Sequence, residues 1–364
     1  MPLPPRPTFA SKRKALQGQV LQQVELFDRL ADPLLQITSR KGRIKWANRA
    51  AHDRFGETLI NRRLTQVLVS RPLKAALKEL RKGQEAEVII QPTNLPDREY
   101  RVRLVKLAEK SLYGARILAA ITDVTEVLRL QAQRADFVAN ASHELKTPVA
   151  ALSGFVETLQ EDPGALPAFL PIMAKETARM RGLIQDLLEL TRSEMEAADA
   201  PTAWLEVDPL IDQALSGLAF LIDQRGQSVR RIRLNQRVQV RADARALTTV
   251  FTNLLHNAAT HGPEASEIAV ETAVEGARLR VQVRNAGTGI AAKHLPRLTE
   301  RFYRVDPGRS DGGTGLGLAI VKHILIRHEG QVLIHSAPGQ GACFTVDLPL
   351  RRENAEESSS DGKF

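Results

Sequence analysis

His143, Glu144 and Thr147 stand in the run Phe137-Val-Ala-Asn140-Ala-Ser142-His143-Glu144-Leu145-Lys146-Thr147-Pro148-Val149, which puts an imidazole, a carboxylate and a hydroxyl within one turn and a half of helix. The apolar residues Phe137, Ala141, Leu145, Leu152, Phe155 and Leu159 recur in steps of four, seven and three, the stripe that a packed helix buries. At ~100° per residue His143 falls nearly opposite that stripe, so its ring points to solvent, and Thr147 lies one turn along the same face. Pro148 has no N–H; the carbonyl of Glu144 loses its helical partner, and the helix is expected to bend just after the histidine. An exposed imidazole beside a carboxylate suits a phosphoryl acceptor: the free ring nitrogen attacks, and the carboxylate takes the proton from the other nitrogen. On this helix alone, a surface histidine on an ordinary helical hairpin is the competing reading.

Four further segments carry chemistry. Asp243 opens a helix running through Leu247, Val250, Phe251, Leu254 and Leu255 to His261, with Asn253 and Asn257 four apart on one face. Amide oxygens are hard neutral ligands, suited to a Mg²⁺ that also holds phosphate oxygens and water; two asparagines on a solvated face are the bland alternative. An alternating strand, Arg280 to Arg284, leads into Asn285-Ala-Gly287-Thr-Gly289-Ile290, where glycines two apart allow close approach of backbone to a ligand. Gly312-Gly313-Thr314-Gly315-Leu316-Gly317-Leu318 feeds a helix expected over Val321 to His328. A glycine-rich loop at a helix N-terminus offers N–H groups and positive dipole to phosphate. Its spacing has neither the Rossmann fingerprint nor the P-loop lysine. Arg297, Arg301, Arg304 and Arg309 lie between these glycine segments, cations of an expected lid within reach of a terminal phosphate. Gly339-Gln-Gly341 is a turn between two strands.

These residues need elements to position them, and the pattern divides the chain into a multidomain α+β protein. Residues 1–20 are basic and proline-rich. Residues 21–126 alternate short strands and helices: a hairpin of 34–37 and 42–46 turning at Arg40 to Gly42, helices at 48–55 and 73–80, and strands at 87–90, 99–105 and 115–121. Residues 127–200 form two long amphipathic helices, to about Glu161 and then from about Leu166 to Glu196, broken at Asp162-Pro163-Gly164. Such a hairpin cannot cover its own stripe, and pairing with a second copy into a four-helix bundle is the natural solution. After a linker, residues 203–350 mix helices and strands in one domain. The tail, 351–364, lacks an apolar period and is expected to be disordered.

Composition narrows the field further. With 43% hydrophobic and 26% charged residues the 364-residue chain reads as soluble and globular. No stretch approaches the ~18 consecutive apolar residues of a transmembrane helix, and the first fourteen residues, four of them proline, have no apolar core for a signal peptide. The single Cys343, in a strand-like run, excludes an internal disulfide and suits a cytoplasmic setting; it reads as a small core residue. Membrane association is therefore expected only through a partner. The net charge of +9 is scattered, aromatics are few at 4%, and no recognition helix is visible, which argues against direct nucleic-acid binding and for steering of an acidic protein partner.

Taken in order, these segments resemble a sensor histidine kinase of two-component signalling over nearly the whole chain. Ser142-His-Glu-Leu-Lys-Thr-Pro148 is similar to that family's H-box, Asn253 to Asn257 to its asparagine box, Asn285 to Gly289 to its first glycine box, Phe302-Tyr-Arg304 to its F-box and Gly313 to Gly317 to its second glycine box. Phe137 to Pro148 and Leu295-Pro-Arg-Leu-Thr-Glu-Arg-Phe-Tyr-Arg-Val-Asp306 look most like the phosphate-regulon sensors. The opening Gly42 to Asn48 and the closing Asp123-Val-Thr125-Glu126 resemble a PAS domain. The resemblance implies a Bergerat-type sandwich that binds ATP, with Asn257 holding Mg²⁺ and Asn253 supporting it. Asn285, Gly287 and Gly289 would lie at the base, Gly313, Thr314, Gly315, Leu316 and Gly317 at the phosphates, and Arg304 at the γ-position. It implies transfer to His143 with Glu144 as base, then to an aspartate of a response regulator. It further implies a homodimer, dephosphorylation of the regulator through Glu144 and Thr147, and a role in phosphate limitation. Three positions depart from the pattern. Asn285 stands where the family has aspartate, Ala286 where asparagine is frequent, and Thr260 where a lysine or arginine is common. A regulator-directed phosphatase with an impaired nucleotide site, or a non-catalytic dimeric scaffold, is the alternative these departures raise.

Overall fold

The structure, a computed structural model, describes residues 26–80, 82–107, 115–195, 201, 203–306 and 313–350. The N-terminal segment 1–20, nearly all of the linker, Arg309, Gly312 and the tail 351–364 lie outside the described residues. The chain divides into two compact units, Met1–Val138 and Ala139–Phe364. Among the described residues no helix is long and apolar enough to cross a membrane.

In the first unit five antiparallel strands, β1 (Leu34–Ile37), β2 (Ile44–Ala47), β3 (Glu85–Ile90), β4 (Tyr100–Lys106) and β5 (Ile117–Asp123), form one sheet in the order β2-β1-β5-β4-β3. The expected hairpin closes at Gly42, whose φ of +61° suits a residue without Cβ. Strict alternation in β4 buries Tyr100, Val102 and Leu104 and turns Arg101 and Arg103 outward, where they pair with Glu87 and Glu85 across to β3. Helices α1 (Arg49–Phe55), α2 (Leu64–Val67) and α3 (Arg71–Glu79) cover the inner face around Leu35, Ile37, Ile44, Leu64, Leu73 and Ile121. Asn48 is fully buried because it is fully used. Its Oδ1 accepts from Leu34 N at 2.9 Å and from Ala51 N at 3.0 Å as the cap of α1, and its Nδ2 donates to Phe27 O and Asp32 O. At the end of β5, Asp123 accepts from Thr125 Oγ1 at 2.5 Å and pairs with Arg54 and Arg98. Burial pushes its carboxyl up, but the Thr125 hydrogen bonds and the two guanidinium groups outweigh this and hold it below the usual range.

Helix α4 (Thr125–Glu161) runs on through Pro148, which is buried inside it. A single 3₁₀ turn at Pro163–Ala165 then leads into α5 (Leu166–Met195). Asp162 caps that turn through Gly164 N at 3.0 Å, so the breaker read from sequence acts as a cap and a turn together. Phe155 of α4 meets Phe169 of α5 with ring centroids 5.0 Å apart, which aligns the two helices side by side. The six residues of the α4 stripe, Phe137 to Leu159, are each half-buried, whereas His143 and Thr147 are exposed.

The rest of the second unit is a layer of helices on a mixed sheet. β7 (Ser228–Ile232), β9 (Glu267–Glu275), β10 (Arg278–Asn285), β11 (Gln331–Ser336) and β12 (Ala342–Pro349) order as β11-β12-β10-β9-β7, parallel only between β7 and β9. β6 (Trp204–Glu206) and β8 (Gln239–Arg241) form a separate pair. Helices α6 (Asp208–Gln224), α7 (Ala244–His261) and α8 (Gly317–Arg327) complete it. Asp243 caps α7 through Ala246 N at 3.1 Å. In α7, Ala246, Leu247, Val250, Phe251, Leu254, Leu255, Ala258 and Ala259 are all buried, a helical stripe repeating every three to four residues. It packs against β10, whose Leu279, Val281 and Val283 point inward. Removing a fully buried ring such as Phe251 costs ~3–5 kcal/mol, so this layer fixes the register of whatever the other face of α7 carries. The sequence pattern begins α8 at Val321; the structure begins it at Gly317, since Leu316, Ala319 and Ile320 already pack into the core and outweigh the low helix propensity of the glycine.

Candidate functional site

The polar face of α7 opens on a cleft of about 2030 Å³. Thr248, Thr249, Thr252, Asn253, His256, Asn257 and Thr260 alternate in steps of one and three, so the helix turns a row of hydroxyls and amides toward the cleft while burying its apolar row. Asn253 donates through Nδ2 to Thr249 O at 3.0 Å, which orients its Oδ1 toward the start of α8. There Gly317 is required: a Cβ on it would lie 2.6 Å from that oxygen.

Asn285, at the end of β10, is 6% exposed and lines the cleft. Its Nδ2 donates to Ala286 O at 2.7 Å, and among the described residues nothing donates to its Oδ1. Gly287 and Gly289 continue the wall. Gly289 has φ +69° and sits against the turn after β11, where a Cβ would come within 1.9 Å of Ala337 O. Gly339 N donates to Thr288 O at 2.7 Å and Gly341 N to Gly287 O at 3.1 Å, so the Gly339–Gly341 turn braces the glycine pair.

Gly313, Thr314, Gly315 and Gly317 line the cleft at the N-terminus of α8, and Arg304 lines it from the preceding segment. Leu316, expected with them, does not; its side chain is fully buried and its N–H donates to Thr314 Oγ1 at 3.2 Å. Phe302 N donates to Gly315 O at 2.9 Å and ties the segment to the loop. Arg297 lies over the Tyr303 ring at 4.3 Å, and Tyr303 hydroxyl meets His294 Nδ1 at 2.6 Å. Arg301, expected to serve the same lid, instead pairs with Glu194 of α5 at 2.6 Å, because the acidic face of α5 reaches it. The two amide oxygens of Asn253 and Asn257, on one helix face, fit a hydrated divalent ion held mainly by a bound phosphate, and the same cleft also carries the carboxylates of Asp186, Glu189, Glu264 and Asp306.

His143, Glu144 and Thr147 are not among the lining residues; they stand together on α4. Thr147 Oγ1 donates to His143 O at 3.2 Å. Glu144 Oε2 accepts from Arg179 Nη2 of α5 at 3.0 Å, and Arg179 also lines the cleft. Periodicity did not flag α5 as part of the site. It contributes Arg179, Asp186 and Glu189, whose steps of seven and three share a face, but nothing in one sequence names what that face meets. Thr314 Oγ1 donates to Asp186 Oδ2 at 2.5 Å and Arg245 lies 3.6 Å from Glu189. Burial pushes the Asp186 carboxyl above its ordinary range, against the opposing pull of the Thr314 hydrogen bond and of His256.

Comparison with known proteins gives the following. Residues 133–196 match the family described as His Kinase A (phospho-acceptor) domain, and residues 242–352 match Histidine kinase-, DNA gyrase B-, and HSP90-like ATPase. Phosphate regulon sensor protein PhoR of Pseudomonas aeruginosa is 36% identical over 362 residues, covering 95% of this chain and 79% of that one. Sensor-like histidine kinase SenX3 of Mycolicibacterium smegmatis is 33% identical over 296 residues, covering 78% and 76%. Among solved structures, histidine kinase ThkA in complex with response regulator protein TrrA aligns with a TM-score of 0.47 at 19% identity over 90% of this chain and 98% of that one.

Proposed function

The chain belongs to the sensor histidine kinases of two-component signalling, of the PhoR-like type, and on that premise we propose which of its residues do the work. Its activity is that of an ATP-dependent protein-histidine kinase.

His143 is the acceptor. The observation that carries this is its exposure, opposite a half-buried stripe, with the carboxylate of Glu144 next to it and the Thr147 hydroxyl one turn along. ATP lies in the cleft of the second unit. The adenine end meets Asn285, Gly287 and Gly289; the phosphates meet Gly313, Thr314, Gly315 and Gly317, whose N–H groups and helix dipole favour anions. Leu316 serves by anchoring that loop in the core. Asn257 would hold Mg²⁺ with the support of Asn253, whose amide is oriented by Thr249 O, and the ion when bound would neutralise phosphate charge. Arg304 adds positive charge at the γ-position. Glu144 takes the proton from the ring nitrogen that does not attack. Most of the rate enhancement in such transfers comes from positioning and charge compensation, and these residues supply both.

From His143 the phosphoryl group passes to an aspartate of a response regulator. Thr147, sharing the histidine's face, orients water against the regulator's phosphoaspartate in a separate hydrolysis that releases phosphate. The name of the P. aeruginosa relative supports a role in phosphate-limitation signalling. Residues 21–126 are a PAS-like sensor, supported by the sheet order β2-β1-β5-β4-β3 with helices on one face; residues 127–200 serve dimerisation and phosphotransfer, and 203–350 catalysis. Neither a phosphatase with an impaired nucleotide site nor a non-catalytic scaffold is favoured, since the chain matches both the phospho-acceptor and the ATPase families.

Incubating the full chain with γ-labelled Mg-ATP is expected to give an acid-labile, base-stable phosphoprotein, and His143→Gln to give none. Label surviving in that variant would refute the acceptor assignment.

A further inference from the structure

Arg179 touches both halves of the reaction. It lines the cleft assigned to ATP, while its Nη2 donates to Glu144 Oε2 at 3.0 Å, and its Nη1 lies 3.9 Å from Glu176. Its side chain is 37% exposed, which leaves the guanidinium room to change partner without leaving α5. Guanidinium has five donors in a planar fork, and a phosphoryl group offers it three oxygens where it contacts only one of Glu144.

We propose that Arg179 is a further catalytic residue: it exchanges Glu144 for the oxygens of the γ-phosphoryl group as that group crosses to His143. The inference rests on the kinase assignment above and adds a residue from α5 to it. As the bond between the γ-phosphorus and the oxygen shared with the β-phosphate breaks, its electron pair leaves with ADP. A P–N bond forms at one nitrogen of His143, and the proton on the other nitrogen passes to Glu144. Arg179 compensates the charge on the three equatorial oxygens during this passage.

A merely structural tie between α4 and α5 makes different demands. A neutral amide at position 179 would still donate to Glu144, whereas charge compensation needs a cation. Initial rates of His143 labelling in the full chain, over a range of Mg-ATP concentrations, separate the two for Arg179→Ala, Arg179→Lys and Arg179→Gln, with a thermal melt of each as a control for folding. The alanine and glutamine variants are expected to lose roughly 10- to 100-fold in kcat with KM for ATP nearly unchanged. That is less than the ~10³–10⁵ supplied by fully desolvated arginine fingers, because this side chain is partly solvated. The lysine variant should recover part of the loss. A glutamine variant within twofold of wild-type kcat, or a loss confined to KM, would overturn the proposal. A wild-type chain that never labels would instead overturn the kinase assignment of His143.

Discussion

At Asn285 the amide nitrogen is committed to Ala286 O, 2.7 Å away, and the oxygen is left as the side chain's one uncommitted acceptor. An aspartate in the same place would present an anionic acceptor to the amino group of adenine, and charge-assisted hydrogen bonds are about twice as strong as neutral ones. Asn285→Asp is therefore expected to tighten ATP binding by ~1–3 kcal/mol, roughly tenfold to a hundredfold, and to raise the autophosphorylation rate at low ATP. Calorimetric titration decides it; equal or weaker affinity would mean that the neutral oxygen already serves as well as a carboxylate. The need for a second acceptor for the amide N–H₂ was legible in the sequence, because the donor count of asparagine is fixed. That Ala286 O supplies it was not, because the answer depends on the path of the backbone after β10. Arg301 shows the same limit. Its charge was visible, but its pairing with Glu194 needed the position of α5.

Among the elements, α7 and α8 are joined by a contact at their ends. His328, which terminates α8, is 2% exposed. Its Nδ1 donates to Ile324 O at 2.7 Å, so its Nε2 is the acceptor that receives Asp243 N, at the start of α7, at 3.1 Å. Burial holds this imidazole below its ordinary range. The Ile324 carbonyl pulls the other way, with Arg327 reinforcing the fall and Asp243 opposing it. A histidine depressed in the folded state binds its proton less readily than the unfolded chain does. Its contribution to stability is thus complete above pH ~6.5, the unfolded value, and is lost as pH falls below it. The catalytic unit is expected to melt at lower temperature at pH 5.5 than at pH 7.5, with a slope of up to ~1.4 kcal/mol per pH unit from this group. His328→Gln, which retains an acceptor and cannot gain a charge, should flatten that part of the profile; an unchanged profile would remove His328 from the account. The helices themselves were legible, since the apolar row of α7 and its Asp243 cap are both written in residue types. The early start of α8 was not, because glycine at 317 reads as loop until one sees that Leu316, Ala319 and Ile320 have a core to enter and that Asn253 needs the space.

For the whole molecule the apolar residues that stay open on α4 and α5 set the argument. In a single chain Val149, Val156, Leu170, Ile172 and Ile184 are all exposed, on helices whose only buried positions among the described residues are Thr125, Pro148, Leu183, Leu190 and Ser193. Each such side chain gains ~1.5–3 kcal/mol on full burial, enough in sum to offset the entropy of association when a second hairpin completes a four-helix bundle. Periodicity led to the same partner, a second copy, although on α4 the stripe it marked, Phe137 to Leu159, is half-buried and the open residues Val149 and Val156 lie outside it. Light scattering at micromolar concentration is expected to give the mass of two chains for wild type. Leu170→Glu and Ile184→Glu each place a charge where the bundle would be dry, and a buried unpaired carboxylate costs several kcal/mol. The double variant should therefore run as a single chain. Wild-type melting temperature should rise with protein concentration, as mass action requires of a dimer whose folding and association are linked, and that of the double variant should not. A monomeric wild type, or a dimer indifferent to both glutamates, would show that the open stripe has some other cover than its own copy.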